Sequence, residues 1–280
     1  MKTNAPADTG VTHIRPARGW LSLDPAELWR HRELLFFLTR RDIAVRYKQT
    51  LLGAGWALLQ PLLLMVVFSV FFGLLARIPS DGIPYPLFAY AGLIGWQIFA
   101  YALTEASNSL VAHQNLITKV YFPRLIIPVA ATLPALVDFA IASLLLIVML
   151  VFFGRLPGAD IIFLPFFVGL ALLTALGVGI WLSALNVRYR DVRYTLPFLT
   201  QVWLFATPIA YPSSLVPEAL RPLFGLNPMV SVAEGLRWSF LGTTAPSLAM
   251  VATSTTAALV VLVSGMYYFR RVERGFADVI

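Results

Sequence analysis

The chain has 280 residues, of which 59% are hydrophobic and only 12% are charged. A soluble domain carries roughly 25% charged residues, so this composition excludes an ordinary soluble protein and indicates a membrane protein. The formal net charge is +7, and there is no cysteine. In a membrane protein the positive charge is typical of contact with anionic lipid rather than nucleic acid, and the lack of cysteine excludes disulfides and thiolate metal sites.

The segment before the first long apolar run divides into a tail and a helix. Residues 1–23 are rich in proline, alanine and small polar residues, which predicts a disordered cytoplasmic tail without a signal sequence. The dipeptide Asp24-Pro25 is typical of a helix start. The helix predicted for 24–48 carries LLFFL at 34–38 among several basic residues. We expect it to lie along the cytoplasmic surface of the membrane.

Six apolar stretches are long enough to cross a bilayer as helices. They predict spans at about 54–76, 86–112, 125–153, 161–186, 195–211 and 245–269. The stretches are continuous and do not alternate polar with apolar residues, which favours helices over the strands of a barrel. The predicted fold class is therefore an all-α integral membrane protein with six transmembrane helices.

Residues 212–243 separate the last two predicted spans on the outer side. Four prolines in this segment exclude one continuous helix, and the pieces between them are too short to cross. Asn227 followed by Pro228 is typical of a capped helix start and predicts a helix to about Leu241. We expect two short re-entrant helices that enter the membrane from its outer face.

The basic residues are distributed unevenly between the two sides of these spans. If the amino terminus is inside, 17 of the 21 lysines and arginines fall in inward-facing segments. The exceptions are Arg77, Arg155, Arg221 and Arg237. Since lysine and arginine accumulate on the cytoplasmic side, this split predicts a multi-pass protein with both termini in the cytoplasm.

Two acids, Glu105 and Asp138, lie within the predicted spans, where a carboxylate needs a partner. Either could couple transport to protons. Either could instead hydrogen-bond inside the bundle, for which Ser107, Asn108 and Ser143 are nearby candidates, or face a wet conduit. We favour the second group of roles over proton coupling.

Small residues recur at every fourth position of the fourth predicted span, at Ala171, Ala175, Gly179 and Ser183. Such a seam lets two helices approach closely, because no large side chain separates their backbones. We expect this seam to serve packing, either within one chain or between two copies, and to carry no chemistry.

Three segments carry a resemblance to a known family. They are RRDIAVRYKQTLLGAGWALLQP at 40–61, LITKVYFPRLIIPVA at 116–130, and NVRYRDVRYTLPFLTQVW at 186–203, which TPIAYP follows. Together they resemble the transmembrane subunit of ABC-2 type polysaccharide exporters. The resemblance extends over residues 27 to 275, so we interpret 24–280 as one transmembrane domain. It implies a homodimer in the inner membrane, paired with two copies of a separate ABC ATPase, that exports lipid-linked polysaccharide. We expect O-antigen, with capsule and teichoic-acid polymers as alternatives.

The chain itself has no phosphate-binding loop of the Walker A type. Only three lysines are present, and none follows a glycine. We therefore expect this subunit to be no enzyme and to hold no cofactor or metal, with ATP and Mg²⁺ bound by the partner ATPase.

The resemblance also assigns roles to single residues. The end of the surface helix resembles a cytoplasmic gate that touches the lipid-diphosphate end of the substrate: Arg40, Arg41, Arg46 and Lys48. The following loop resembles the coupling helix that docks in the ATPase: His113, Asn115, Leu116, Lys119, Tyr121 and Phe122. The re-entrant helices would form an outer gate with Glu234, Arg237 and Trp238. Without the resemblance, the first two segments could equally be a lipid anchor and a topology loop.

A passing polymer of sugars needs weak and repeated contacts, which aromatic faces supply against the C–H surfaces of the rings. The candidates within the spans are Phe68, Phe72, Trp96, Phe99, Tyr101 and Trp203. Packing against neighbouring helices explains Trp96 and Phe99 equally well.

Two other functions stay open on the sequence, a proton-coupled carrier and an intramembrane transferase that acts on lipid-linked sugars. A transferase usually needs clustered acids with a divalent metal, but the fourteen acids are dispersed and form no Asp-x-Asp pair. Many carriers are built from repeats, and no internal repeat occurs.

Overall fold

A computed structural model describes residues 29–48, 53, 55–120, 122–189, 191–217 and 220–276, without the side chains of Pro222 and Arg274. The predicted tail, the predicted helix start at Asp24-Pro25 and the predicted coupling residue Tyr121 lie outside the described residues.

The described residues form helices and turns, with no strand among them, so the all-α prediction is confirmed. The α-helices are α1 (Arg32–Lys48), α2 (Gly55–Phe68), α3 (Tyr85–Ala112), α4 (Gln114–Lys119), α5 (Ile126–Thr132), α6 (Ala135–Phe152), α7 (Leu164–Arg188), α8 (Val192–Ala206), α9 (Arg221–Phe224), α10 (Pro228–Leu241) and α11 (Leu248–Val272). A π-helix at Ser69–Leu75 continues α2, and a 3-10 helix at Ala159–Phe163 leads into α7.

Within the described part of the chain, five helical segments are long and apolar enough to cross a membrane. They are Gly55–Leu75, Tyr85–Ala112, Ile126–Phe152, Ala159–Arg188 and Leu248–Val272. Each coincides with a predicted span. The span predicted at 195–211 falls on α8, which has 15 residues and Pro197 inside it. At 1.5 Å per residue α8 is about 22 Å long, less than the ~30 Å of a bilayer core.

Helix α3 occupies the centre of the bundle and packs against α2, α5, α6, α7 and α10. The seam of small residues lies on α7, and all four of its members are buried inside one chain. A Cβ atom on Gly179 would lie 2.5 Å from the Cβ atom of Ala106 on α3, so only glycine allows this approach. The seam therefore serves the packing of α7 on α3.

Candidate functional site

Helix α1 is amphipathic and packs on the bundle through one face. Leu38 is 2% exposed and belongs to a small cluster with Ile126 and Ala130 of α5. Elsewhere on the helix, Phe36 and Phe37 are 68% and 64% exposed. The helix thus has one apolar face for the bundle and further apolar side chains free for lipid, although its place at a membrane surface stays a prediction.

The last turn of α1 is bonded to α6 through Asp138. Arg46 Nη2 lies 2.5 Å from Asp138 Oδ2, and Arg46 Nε donates to Oδ1 at 3.3 Å. The Tyr47 hydroxyl also donates to Asp138 Oδ1, and burial together with this bond raises the pKa of Tyr47 to about 12, which keeps the hydroxyl protonated. The Arg46 guanidinium covers the Tyr101 ring of α3, 3.9 Å from its centroid. Asp138 therefore has Arg46 and Tyr47 as partners, and the expectation of Ser143 was wrong.

A cleft of about 230 Å³ adjoins this cluster and is walled by α1, α2, α3 and α6. Its polar lining residues are Arg46, Gln60, Gln97, Tyr101, Thr104 and Asp138. Three alanines, at 57, 100 and 142, keep the remaining wall open. Since amide and hydroxyl groups converge here beside the paired Arg46 and Asp138, the cleft suits a hydroxylated ligand, and an anionic one only where Arg46 leaves Asp138.

A polar stripe, defined as Gln97, Tyr101, Thr104, Glu105 and Asn108, runs along one face of α3. Every member is partly or fully accessible, although most of α3 is buried. At membrane depth, a carboxylate and two amides facing lipid would cost several kcal/mol. This face therefore lies against water, a substrate or another protein. The stripe was not predicted from the sequence, although its members are spaced three or four residues apart, as on one face of a helix.

Glu105 is the exposed member of this stripe. Its predicted neighbours bond elsewhere, because the Ser107 hydroxyl donates to the Leu103 carbonyl at 2.7 Å and the Asn108 amide donates to the Thr104 carbonyl at 2.9 Å. Glu105 makes no hydrogen bond or ion pair with the described residues. Of the roles considered from the sequence, facing a wet conduit fits this position, and hydrogen bonding inside the bundle does not.

A hydrogen bond joins the predicted gate to the predicted coupling segment. Arg41 of α1 bonds through Nη2 to Nε2 of His113, the residue between α3 and α4. His113 Nδ1 lies 2.7 Å from the Ser109 carbonyl, which assigns its proton to Nδ1 and leaves Nε2 as the acceptor for Arg41. Of the other predicted gate residues, Arg40 and Lys48 are exposed.

Comparison with known proteins identifies the fold to which this site belongs. Residues 33–241, from α1 to the end of α10, match the model of the ABC-2 type transporter. The chain belongs to the ABC-2 type transporter family. It is 30% identical over 255 residues to the O-antigen export system permease protein RfbA of Myxococcus xanthus, covering 90% of this chain and 97% of that protein.

Two further relatives support the same group. An O-antigen export system permease protein RfbA of Klebsiella pneumoniae is 28% identical over 249 residues, covering 89% of this chain and 95% of that protein. The polysialic acid transport protein KpsM of Escherichia coli is 24% identical over 195 residues, covering 69% of this chain and 76% of that protein. The resemblance to polysaccharide exporter permeases is thus confirmed, and this ABC-2 protein is a multi-pass membrane protein.

The predicted coupling segment of this ABC-2 protein is a short helix with a buried underside. Ile117 of α4 is buried, and Phe122 is buried just beyond it. Leu116 is half-buried, whereas Asn115 and Lys119 are exposed. The buried residues anchor α4 to the bundle and leave its polar side accessible, so its docking to an ATPase stays a prediction.

The predicted outer-gate residues join α10 to its surroundings. Arg237 is fully buried and donates to Glu234 Oε1 at 3.2 Å, the Ile209 carbonyl at 2.8 Å and the Phe88 carbonyl at 3.3 Å. Glu234 Oε1 also accepts from the backbone N–H of Ser213 at 3.0 Å. These bonds connect α10 with α3 and with the turn after α8. A gating role stays a prediction, as does that of Trp238, which stacks on Phe163 at 4.8 Å.

Helix α10 itself begins where the sequence predicts. The Asn227 side chain accepts from the backbone N–H of Met229 at 3.1 Å, and Pro228 is the first helical residue. The same side chain accepts a bond from Trp203 Nε1 at 2.9 Å. Asn227 therefore both caps α10 and connects it to α8.

The predicted conduit aromatics divide into buried and accessible residues. Phe68, Trp96 and Phe99 are buried in the core of one chain. Phe72 and Trp203 are half-buried against that core, and Tyr101 lines the cleft. A ring with no accessible surface contacts a polymer only if the surrounding helices move, so the conduit role of the buried three stays a prediction.

Helix α8 carries an exposed stripe, of which only Phe205 was a conduit candidate from the sequence. Its members are Tyr194, Phe198, Gln201 and Phe205, spaced as residues on one helical face. Tyr194 and Phe198 are 80% and 67% exposed. The sequence pattern alone does not distinguish aromatic residues that face the core from those that face outward.

Proposed function

We propose that this chain is the transmembrane subunit of an ATP-driven exporter that moves lipid-linked polysaccharide across the inner membrane. O-antigen is the first candidate, because two of the cited relatives carry that name. The observation that carries the proposal is the polar stripe of α3, which is accessible at membrane depth, in a protein whose described residues include five apolar helical segments of spanning length. Such a face needs an aqueous or sugar-like neighbour, and an exported polysaccharide supplies one.

One chain supplies a single wall of this pathway, so two copies would face each other across it as a homodimer. The amides and hydroxyls of α3 would bond transiently with sugar hydroxyls. The exposed rings of α8 would contact the C–H faces of the sugars. Weak contacts of both kinds let a long polymer slide, whereas one tight site would hold it in place.

The proposed topology has six crossings. Helix α8 and the turn that follows it, up to about residue 211, would form the fifth crossing, with α9 and α10 as re-entrant segments on the outer side. Both termini would lie in the cytoplasm, as the distribution of basic residues predicts. Helix α1 would then lie along the inner surface of the membrane.

The energy would come from two copies of a separate ABC ATPase that bind ATP and Mg²⁺. The exposed side of α4, with Asn115 and Lys119, is the proposed docking surface. The bond between Arg41 and His113 connects this surface to α1 and so to the cleft. Movement of the ATPase would thus be transmitted to the substrate pathway through α4, the Arg41–His113 bond and α1.

Depletion of the protein in its own host tests the proposal. Lipid-linked polymer would be measured on both sides of the membrane, with the wild-type gene restored on a plasmid as the control. We expect polymer to accumulate inside while the surface becomes bare. Loss of polymer synthesis with accumulation of precursors would instead indicate a transferase, and export that persists after inactivation of the ATPase would indicate a proton-coupled carrier.

A further inference from the structure

One edge of the Arg46 guanidinium is already occupied. Its Nη2 and Nε both face the Asp138 carboxylate, and one of its flat faces covers the Tyr101 ring. A phosphoryl group that binds side-on uses the same nitrogen edge, because an arginine can bind carboxylate and phosphate in the same two-pronged geometry. An anionic substrate end can therefore bind this edge of Arg46 only if the bonds between Arg46 and Asp138 break.

The same carboxylate holds the end of α1 in place. Asp138 accepts bonds from both Arg46 and Tyr47, which form the last turn of the helix before Lys48. The other anchors described above, Leu38 in the α5 cluster and Arg41 at His113, lie nearer the helix start. From Leu38 to Arg46 the helix rises about 12 Å. Loss of the Asp138 bonds would thus free the end of α1 that borders the cleft, while its other end stays attached.

We propose that Asp138 is a latch, which holds Arg46 and Tyr47 until a phosphoryl group at the lipid-linked end of the substrate replaces the carboxylate as the acceptor for both side chains and so releases the end of α1 from α6. The inference rests on the proposed export function, because it takes its ligand from there. The exchange gives Arg46 a new anionic partner and leaves one unpaired charge, the Asp138 carboxylate on the cleft wall, so an anionic ligand can drive it. An uncharged lipid cannot, because it would leave two unpaired charges beside the cleft.

The latch also gives a basis for selectivity. Only a substrate with a phosphoryl anion near the lipid would open the cleft, so free sugar chains and neutral lipids would leave it closed. Anionic phospholipid carries a phosphoryl group as well, and the test must separate these two sources.

Because the chain has no cysteine, a single introduced cysteine can report the accessibility of the cleft. A single cysteine at Ala142, on the cleft wall, would report opening by its rate of reaction with a water-soluble maleimide in the purified full complex. A cysteine at the exposed Leu156, in the loop after α6, is the matched control. The complex would sit in phosphatidylcholine nanodiscs, with or without phosphatidylglycerol, and farnesyl diphosphate would be the probe, with farnesol as its uncharged counterpart.

We expect farnesyl diphosphate to raise the reaction rate at Ala142→Cys about fivefold, the shift that loss of a partly buried ion pair can produce. Farnesol should not change it, and neither ligand should affect Leu156→Cys. Asp138→Asn should raise the rate without any ligand. An unchanged rate in Asp138→Asn, or opening by phosphatidylglycerol alone, would overturn the proposal.

Exchange of the two charges between positions 46 and 138 distinguishes an ion pair that the substrate releases from one that is only structural. The double variant Arg46→Asp with Asp138→Arg rebuilds the pair, so the cleft should be closed again without ligand. The double variant carries its cation on α6 instead of α1. Farnesyl diphosphate should therefore no longer release α1, and export should remain lost. Restored export in this variant would show that the pair is only structural. Because maleimide labelling needs no polymer, it stays informative if the proposed export function itself fails.

Discussion

Replacement of Arg237 by leucine removes a guanidinium that has no exposed surface and bonds to three acceptors. Among the described residues, Glu234 would keep the bond from the N–H of Ser213, and the carbonyls of Phe88 and Ile209 would each lose the bond that Arg237 donates. Removal of one partner of a buried ion pair costs about 3–5 kcal/mol, because the remaining charge stays buried. Arg237→Lys keeps the charge but loses the fork geometry, so we expect roughly half of that cost.

Unfolding of the purified protein in detergent would measure this effect through tryptophan fluorescence. Arg155→Leu is the matched control, because Arg155 makes one long bond of 3.4 Å to the carbonyl of Gly82 at an exposed position. It should change the free energy of unfolding by less than about 0.5 kcal/mol. The double variant Arg237→Leu with Glu234→Leu should recover part of the loss, because it removes the orphaned carboxylate.

Two results would refute this reasoning. Arg237→Leu could unfold like Arg155→Leu, which would mean that the buried bonds contribute nothing net. The double variant could also be less stable than the sum of the two single variants, which would mean that Glu234 and Arg237 act through separate partners.

Three further predictions concern packing, transport and docking. Gly179→Val should destabilise the protein by about 1–3 kcal/mol, because its Cβ would overlap α3, whereas Gly169→Ala has open space and should unfold like the wild type. Gln97→Leu should lower surface polymer about fivefold, as expected for one lost hydrogen bond, with unchanged membrane levels. Leu144→Ala, on an exposed apolar face, is its control, and equal export in both would remove the α3 stripe from the pathway. Lys119→Glu should reduce co-purification of the ATPase severalfold, since a charge reversal at an interface rim repels its partner. Undiminished co-purification would place the docking surface elsewhere.

The membrane helices were predictable because their determinants are local. Five predicted spans coincide with helices of spanning length, and Asn227-Pro228 begins α10 as expected. Each signal lies within a few residues of its effect, as an apolar run or a cap. Helix α8 is the exception, because it has only 15 residues with Pro197 inside it and is therefore shorter than the five helices of spanning length.

The candidate site was predictable only in part. Arg46 and Tyr101 were both singled out from the sequence, but for two different roles, and the structure brings them to one cluster with Asp138. The sequence pattern does not show which aromatic residues are accessible. In the fold, Phe99 is buried and Tyr101 is accessible, although both lie on the same helix. Which face of α3 remains accessible depends on the helices that pack against it.

The sequence by itself determined that the protein is helical, lies in a membrane and resembles polysaccharide exporters, because hydrophobic run length, capping residues and charge distribution act over short distances. The tertiary structure alone decided which polar groups share a site. Arg46 and Asp138 are 92 positions apart, and Arg237 and Phe88 are 149 apart. Such pairs form because a charged group in an apolar interior must find a partner, and only the packing of the helices determines which partner is within reach.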